Sequence, residues 1–165
     1  MAETVFFNEM LDPDGRPRQP YRRLAEWFET LSPADMRKKS RQAETIFRRL
    51  GITFAVYGAN EATERLIPFD IVPRVISAAE WRRLSAGIDQ RVRALNAFLH
   101  DIYHRQEIIR AGRIPAELII QNEAFLPEMV GFSPPRRVYA HIIGTDLVRV
   151  GEDEFYVLED NTRTP

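Results

Sequence analysis

Seven apolar residues, Trp81, Leu84, Ile88, Val92, Leu95, Leu99 and Ile102, recur at intervals of three and four along one stretch of this chain. That period puts them on one side of an α-helix. Ser77-Ala78-Ala79-Glu80 opens the stretch as a capping box, serine as N-cap and a carboxylate three residues on, so the helix is expected over about 78 to 104. A helix this long with an unbroken apolar side needs something to pack on, either a core of this chain or a further lobe.

The segments around it read in order. The first 20 residues contain the turn sequence Asp12-Pro13-Asp14-Gly15 and prolines at 17 and 20, and read as an irregular arm. Leu24, Trp27, Phe28 and Leu31 give helical spacing over 21–31. Ser32-Pro33-Ala34-Asp35 then restarts the helix with a second cap, and that helix presents Met36, Ala43, Ile46, Phe47 and Leu50 before stopping at Gly51. Ile52 to Tyr57 is β-prone and is followed by Gly58. Arg65 to Ile76 is apolar and branched, but Pro68 and Pro73 exclude a regular central strand. A short helix is expected around 105–111, ending at Gly112, and another turn or two over Pro115–Ile120. From Val138 the period becomes extended: VYAHII and DLVRV, then Gly151-Glu152-Asp153-Glu154, then FYVLED, a hairpin. The fold class is therefore α+β, a helix-rich N-terminal two thirds followed by a C-terminal β-hairpin.

Composition narrows function. The 165 residues carry 23 basic and 24 acidic side chains, a net charge of −1, which excludes a design built on global polyanion binding. No cysteine is present, so disulfides, thiolate metal sites and cysteine nucleophiles are excluded together. No run approaches the roughly 20 apolar residues of a membrane helix. The start MAETVFFNEM lacks the basic opening of a secretory signal, so a cytoplasmic protein without membrane association is expected. Arginine supplies 21 of the 23 basic residues, the exceptions being the adjacent Lys38 and Lys39. The 8 glycines nowhere approach the spacing of a phosphate-cradling loop.

The C-terminal hairpin holds the most specific chemistry. With a two-residue turn at Glu152-Asp153, facing residues have numbers summing to 305, which sets Val150 against Phe155, Val148 against Val157 and Asp146 against Glu159. All six would share one face, and Asn161, two residues past Glu159, would follow them. Two directly opposed carboxylates repel by up to about 1 kcal/mol. A divalent cation converts that repulsion into coordination, and carboxylate and amide oxygens are hard donors suited to magnesium. The alternative is an acid-rich, solvated exit from the hairpin.

The same segment, Phe155-Tyr-Val-Leu-Glu-Asp-Asn-Thr-Arg-Thr-Pro165, resembles the metal-binding strand of ATP-grasp ligases, where a Glu-x-Asn pair ends a hydrophobic strand. Together with Ile67-Pro-Phe-Asp-Ile-Val-Pro-Arg-Val-Ile76, Arg91-Val-Arg-Ala-Leu-Asn-Ala-Phe-Leu-His-Asp-Ile-Tyr-His104 and Pro127-Glu-Met-Val-Gly131, it resembles the circularly permuted ATP-grasp (type 2) proteins, bacterial relatives of glutathionylspermidine synthetase. The likeness runs from Asn8 to Pro165. It implies that residues 21–165 are part of an ATP-grasp domain, and that Asp146, Glu159 and Asn161 are magnesium ligands. Glu159 and Asn161 would thereby also bind the nucleotide cofactor. It implies a catalytic part for Arg163, near the transferring phosphate or the acyl substrate. Expected cofactors are Mg²⁺ and ATP, and expected partners are a carboxylate and an amine joined through an acyl phosphate. Family members are much longer and place the adenine-binding, phosphate-clamping lobe later in the chain. Lys38 and Lys39 do not replace it, so the expectation is an N-terminal fragment, inactive alone and prone to self-association.

Other signals have plainer readings. His100 and His104 stand at i and i+4, the geometry of a zinc helix, but His141 is the one further histidine, and a polar flank on the helix accounts for both. Residues 16 to 49 hold ten basic and four acidic side chains, an excess that suits a solvated helix face better than RNA, because no exposed aromatics are expected between them for base stacking. Asp70 and Arg74 read as a substrate contact or a structural ion pair. The rival to the ligase is a non-catalytic helical module binding protein or RNA.

Overall fold

The computed structural model describes residues 6–57 and 62–162, which pack as two compact units: Asn8–Ser77, and Ala78 onward together with Phe6 and Phe7.

In the first unit the arm is folded on itself. Asn8 Oδ1 accepts from the amides of Met10 and Leu11, and Asp12 Oδ1 from those of Asp14 and Arg16, which closes the turn around Gly15. Helix α1 spans Arg22–Glu29 and α2 spans Pro33–Leu50. The expected capping box is formed: Ser32 Oγ accepts from the Asp35 amide at 3.2 Å, and Asp35 Oδ2 from the Ser32 amide at 3.1 Å. The Ser32 hydroxyl also donates to Asp35 Oδ2 at 2.6 Å, and that bond, with the one from the Ser32 amide, holds the Asp35 carboxyl below its ordinary pKa. Gly51, at φ 65°, ends the helix in the left-handed conformation that glycine adopts without a Cβ clash. On α2, Ile46 and Leu50 stay 53% and 68% exposed, although their spacing marks an apolar face. Strand β1, Thr53–Tyr57, pairs antiparallel with β2, Ala62–Leu66. The second strand was not legible in the sequence, because Ala62-Thr-Glu-Arg-Leu66 is mostly polar. Tyr21 is buried and its hydroxyl accepts from the Val75 amide at 3.0 Å. Arg74 pairs with Glu9 at 2.8 Å while Asp70 Oδ1 accepts from the Val72 amide, so the contacts of both are structural.

The second unit is built on α3, Ala78–Ile102, which ends at the last residue of its apolar stripe, two residues before the expected end at about 104. Two short helices follow, α4 (Glu107–Arg110) and α5 (Ala116–Ile120). Asp101 explains the break. Its two carboxylate oxygens accept from the amides of Glu107 and Ile108, both at 2.9 Å, capping α4 from six residues upstream. The core lies where these helices meet: Ile102, Tyr103 and Ile119, flanked by Phe98, Leu99, Ile108 and Phe125. Strands β3 (Gly144–Arg149) and β4 (Phe155–Asn161) form the expected C-terminal antiparallel hairpin. Residues 138–143 are not its extension. Asn96, on α3, holds them: its Oδ1 accepts from the amides of Tyr139 (2.7 Å) and Ala140 (3.1 Å), so a side chain replaces a partner strand.

Candidate functional site

Asp146 lies directly across from Glu159, and Gly144 across from Asn161. The expected opposition of the two carboxylates is present, but the arithmetic that led to it does not hold near the turn. There Arg149 pairs with Phe155, Val148 with Tyr156 and Leu147 with Val157, sums of 304, and Val150–Glu154 form a longer loop closed by the Val150 amide on the Glu154 carbonyl at 3.0 Å. A β-bulge between the pairs Leu147–Val157 and Asp146–Glu159 restores the register. Leu158 is the extra residue. The face assignment changes accordingly: Leu147, Phe155 and Val157 line the side toward α3, whereas Asp146, Val148, Tyr156 and Glu159 are exposed.

The exposed edge therefore presents two carboxylates and, half-buried beside them, the Asn161 amide, whose Nδ2 donates to Glu159 Oε1 at 3.2 Å. This donor set is all oxygen and fits a hard cation such as magnesium. Among the described residues no three His, Cys, Asp or Glu side chains converge on one point, so the set depends on the asparagine as its third member. Arg163 lies outside the described residues.

The middle residue of Glu-Asp-Asn, Asp160, turns the other way. Its Oδ2 accepts from Arg91 Nε of α3 at 2.6 Å and its Oδ1 from Thr145 Oγ1 at 2.9 Å. Closer to the turn, Arg149 pairs with Glu80 at 2.8 Å, both side chains under a tenth exposed, and Asp153 pairs with Arg83. The Arg149 guanidinium also lies over the rings of Phe7 and Phe155, at 4.8 and 5.3 Å from their centroids. The hairpin is thus fastened to α3 by guanidinium–carboxylate pairs at both ends. Between them runs a groove of roughly 520 Å³ over Leu84, Gly87, Ile88, Leu147 and Val157. These fasteners were not singled out from sequence. The signal available was Arg91, read only as part of a motif, whereas its neighbour Arg93 pairs within α3 with Asp89 at 3.0 Å.

The histidine pair is a clamp on the loop before β3. His104 Nδ1 donates to the His100 carbonyl at 2.9 Å, which leaves Nε2 to accept from Ser133 Oγ at 2.9 Å. His100 Nδ1 donates to Tyr139 Oη at 3.0 Å, and that hydroxyl donates in turn to the Phe132 carbonyl at 3.1 Å. Burial disfavours the His100 imidazolium, and the neighbouring His104 and Arg137 add repulsion, so its pKa lies below the ordinary 6.5. Three of the four ring nitrogens of this pair are committed to the protein, and among the described residues no third His, Cys, Asp or Glu joins them to hold a metal. Lys39 lies over the Trp27 ring at 5.5 Å, within the other unit.

Comparison with known proteins finds longer relatives. An uncharacterized protein of Synechocystis sp. is 42% identical over 97% of this chain, which spans 33% of that relative. An uncharacterized protein of Mycobacterium leprae is 46% identical over 98% of the chain, spanning 28% of its length. A Frankia alni protein named "Putative glutamate--cysteine ligase 2-3" is 40% identical over 96% of the chain, spanning 18% of its length. The chain thus covers a third or less of each of these relatives. The description "circularly permuted ATP-grasp type 2" matches residues 73–165, which include α3, the core, the three guanidinium–carboxylate pairs and the hairpin. By that match the chain belongs to the circularly permuted ATP-grasp type 2 family, a family of ATP-dependent ligases.

Proposed function

We propose that this chain supplies the magnesium-ligand hairpin of an ATP-dependent carboxylate–amine ligase. The observation that carries the reading is the pairing of Asp146 with Glu159, with Asn161 hydrogen-bonded to the latter, inside the family-matched segment. Asp146, Glu159 and Asn161 hold the cation, which when bound neutralises charge on the polyphosphate. In the reaction a substrate carboxylate oxygen attacks the γ-phosphorus of ATP and ADP leaves. An amine nitrogen then attacks the acyl carbon of the resulting acyl phosphate, phosphate departs, and the nitrogen gives up a proton. Arg163 follows the ligands by two residues and is assigned to the transferring phosphoryl or acyl group. The Frankia relatives named "Putative glutamate--cysteine ligase 2-3" and "Putative glutamate--cysteine ligase 2-2" support a carboxylate–amine pair as the substrate class. The glycine-poor chain has no phosphate cradle of its own, so by this reading it turns over no ATP in isolation.

Two measurements test this. Titrating Mn²⁺ into the chain should broaden amide resonances near residues 146, 159 and 161 and leave the helices sharp; broadening spread evenly, or none, removes the site. In a complete protein carrying this segment, Glu159→Gln and Asp146→Asn should each abolish ATP turnover while circular dichroism stays unchanged. Full turnover in both variants would sink the metal assignment.

A further inference from the structure

The direction in which Glu159 points is set by a change of parity within β4. Up to Val157 the strand alternates regularly, Phe155 and Val157 toward α3 and Tyr156 outward, 57% exposed. Carried on without interruption, that alternation would turn Glu159 inward with the other odd-numbered residues, toward Arg91 and away from solvent. Instead Leu158 is an extra residue, 69% exposed, and the parity inverts: Glu159 is outward and Asp160 inward. Bulges recur beside functional sites because they re-aim a side chain in this way.

A bulge needs something to hold it, because two registers compete. In the uninterrupted register Arg91 would still meet a carboxylate, that of Glu159. The guanidinium alone therefore does not choose between them. Nor does Thr145 alone, because in the uninterrupted register it would face Glu159; the choice falls on side-chain length, since the shorter acid, Asp160, accepts from the Thr145 hydroxyl at Oδ1 and from Arg91 Nε at Oδ2 together. Aspartate satisfies both donors from its slot opposite Thr145. The Asp160 side chain is only 9% exposed, so loss of either donor leaves a carboxylate oxygen without compensation.

We propose that Arg91, Thr145 and Asp160 form a register lock that keeps the bulge at Leu158 and so holds Glu159 outward, opposite Asp146. All three are positioning residues. The functional half of this inference rests on the metal reading above, and the structural half does not.

The test uses the chain with two readouts. Cross-strand backbone NOEs report the register, and Mn²⁺ alone, followed by amide broadening, reports the ligand pair. In Arg91→Ala and in Thr145→Val, which removes one hydroxyl at nearly constant volume, the Asp146–Glu159 contacts should weaken. The Mn²⁺ needed for half-broadening should rise at least about tenfold. Arg91→Lys, which keeps a donor, should recover part of both. Unchanged NOEs in Thr145→Val and Arg91→Ala overturn the lock, and so does a lost Mn²⁺ response with the native register intact. Should the unsubstituted chain show no Mn²⁺ response, the metal reading fails and the lock stands or falls on the NOEs.

Discussion

Asn96 shows how much one side chain can organise. From within the apolar run of α3 it accepts two backbone hydrogen bonds from residues 139 and 140. Asn96→Ala leaves both half-buried amides unmatched and should cost about 1–3 kcal/mol, read as a lower urea midpoint at unchanged slope. Asn96→Asp, which keeps the acceptor, should lose less. His100 gives a pH dependence of definite sign. Its native pKa is depressed, so between that value and 6.5 the unfolded chain binds more protons, and stability falls as pH is lowered through this window. Melting temperature should therefore drop from pH 7.5 to 5.5, and the drop should shrink in His100→Gln. Asp101 does not blur this, because bonds from the Ile108 and Glu107 amides keep its carboxyl below 3.8. At this scale the sequence was legible where chemistry is written in spacing, as for the carboxylates at 146 and 159. It was not legible for Asn96 or Asp101, whose roles depend on backbone amides 6 to 44 residues away.

Elements were legible where their stop and start signals are local. The Ser32 cap, the Gly51 terminus and the long α3 follow from sequence because capping and periodicity involve neighbours within four residues. The bulge at Leu158 and strand β2 do not, since pairing is decided across the sheet. The same hairpin thus received the right partner for Glu159 with the wrong turn, two offsets cancelling at the bulge. Gly87 offers a test of α3 itself. It sits in mid-helix on the floor of the groove, with nothing within 4 Å of where a Cβ would stand. Gly87→Ala should stabilise the second unit by up to about 1 kcal/mol, seen as a raised denaturant midpoint. A destabilised variant would show that the groove is closed in solution.

At the scale of the molecule, the described residues bury little. Leu118, Ile142, Tyr156 and Leu158 are each more than half exposed, and no helix among them is long and apolar enough to cross a membrane. Uncovered apolar side chains on a two-stranded hairpin invite pairing with another copy. Sedimentation at tens of micromolar should accordingly show association, and a monodisperse monomer would contradict it. The family could be recognised from sequence because its motifs are long and ordered. The faces that the two strands present could not, because a bulge between them decides which side chains turn outward.

The placement of Phe7 on the Arg149 guanidinium has a practical corollary. That phenylalanine is part of the furniture of a turn some 140 residues later. A shortened expression clone beginning at Asn8, or a bulky tag fused close to that phenylalanine, would disturb the very loop that spaces the two strands. Vector design, usually a matter of convenience, here decides whether the protein under assay still has the hairpin intended for study.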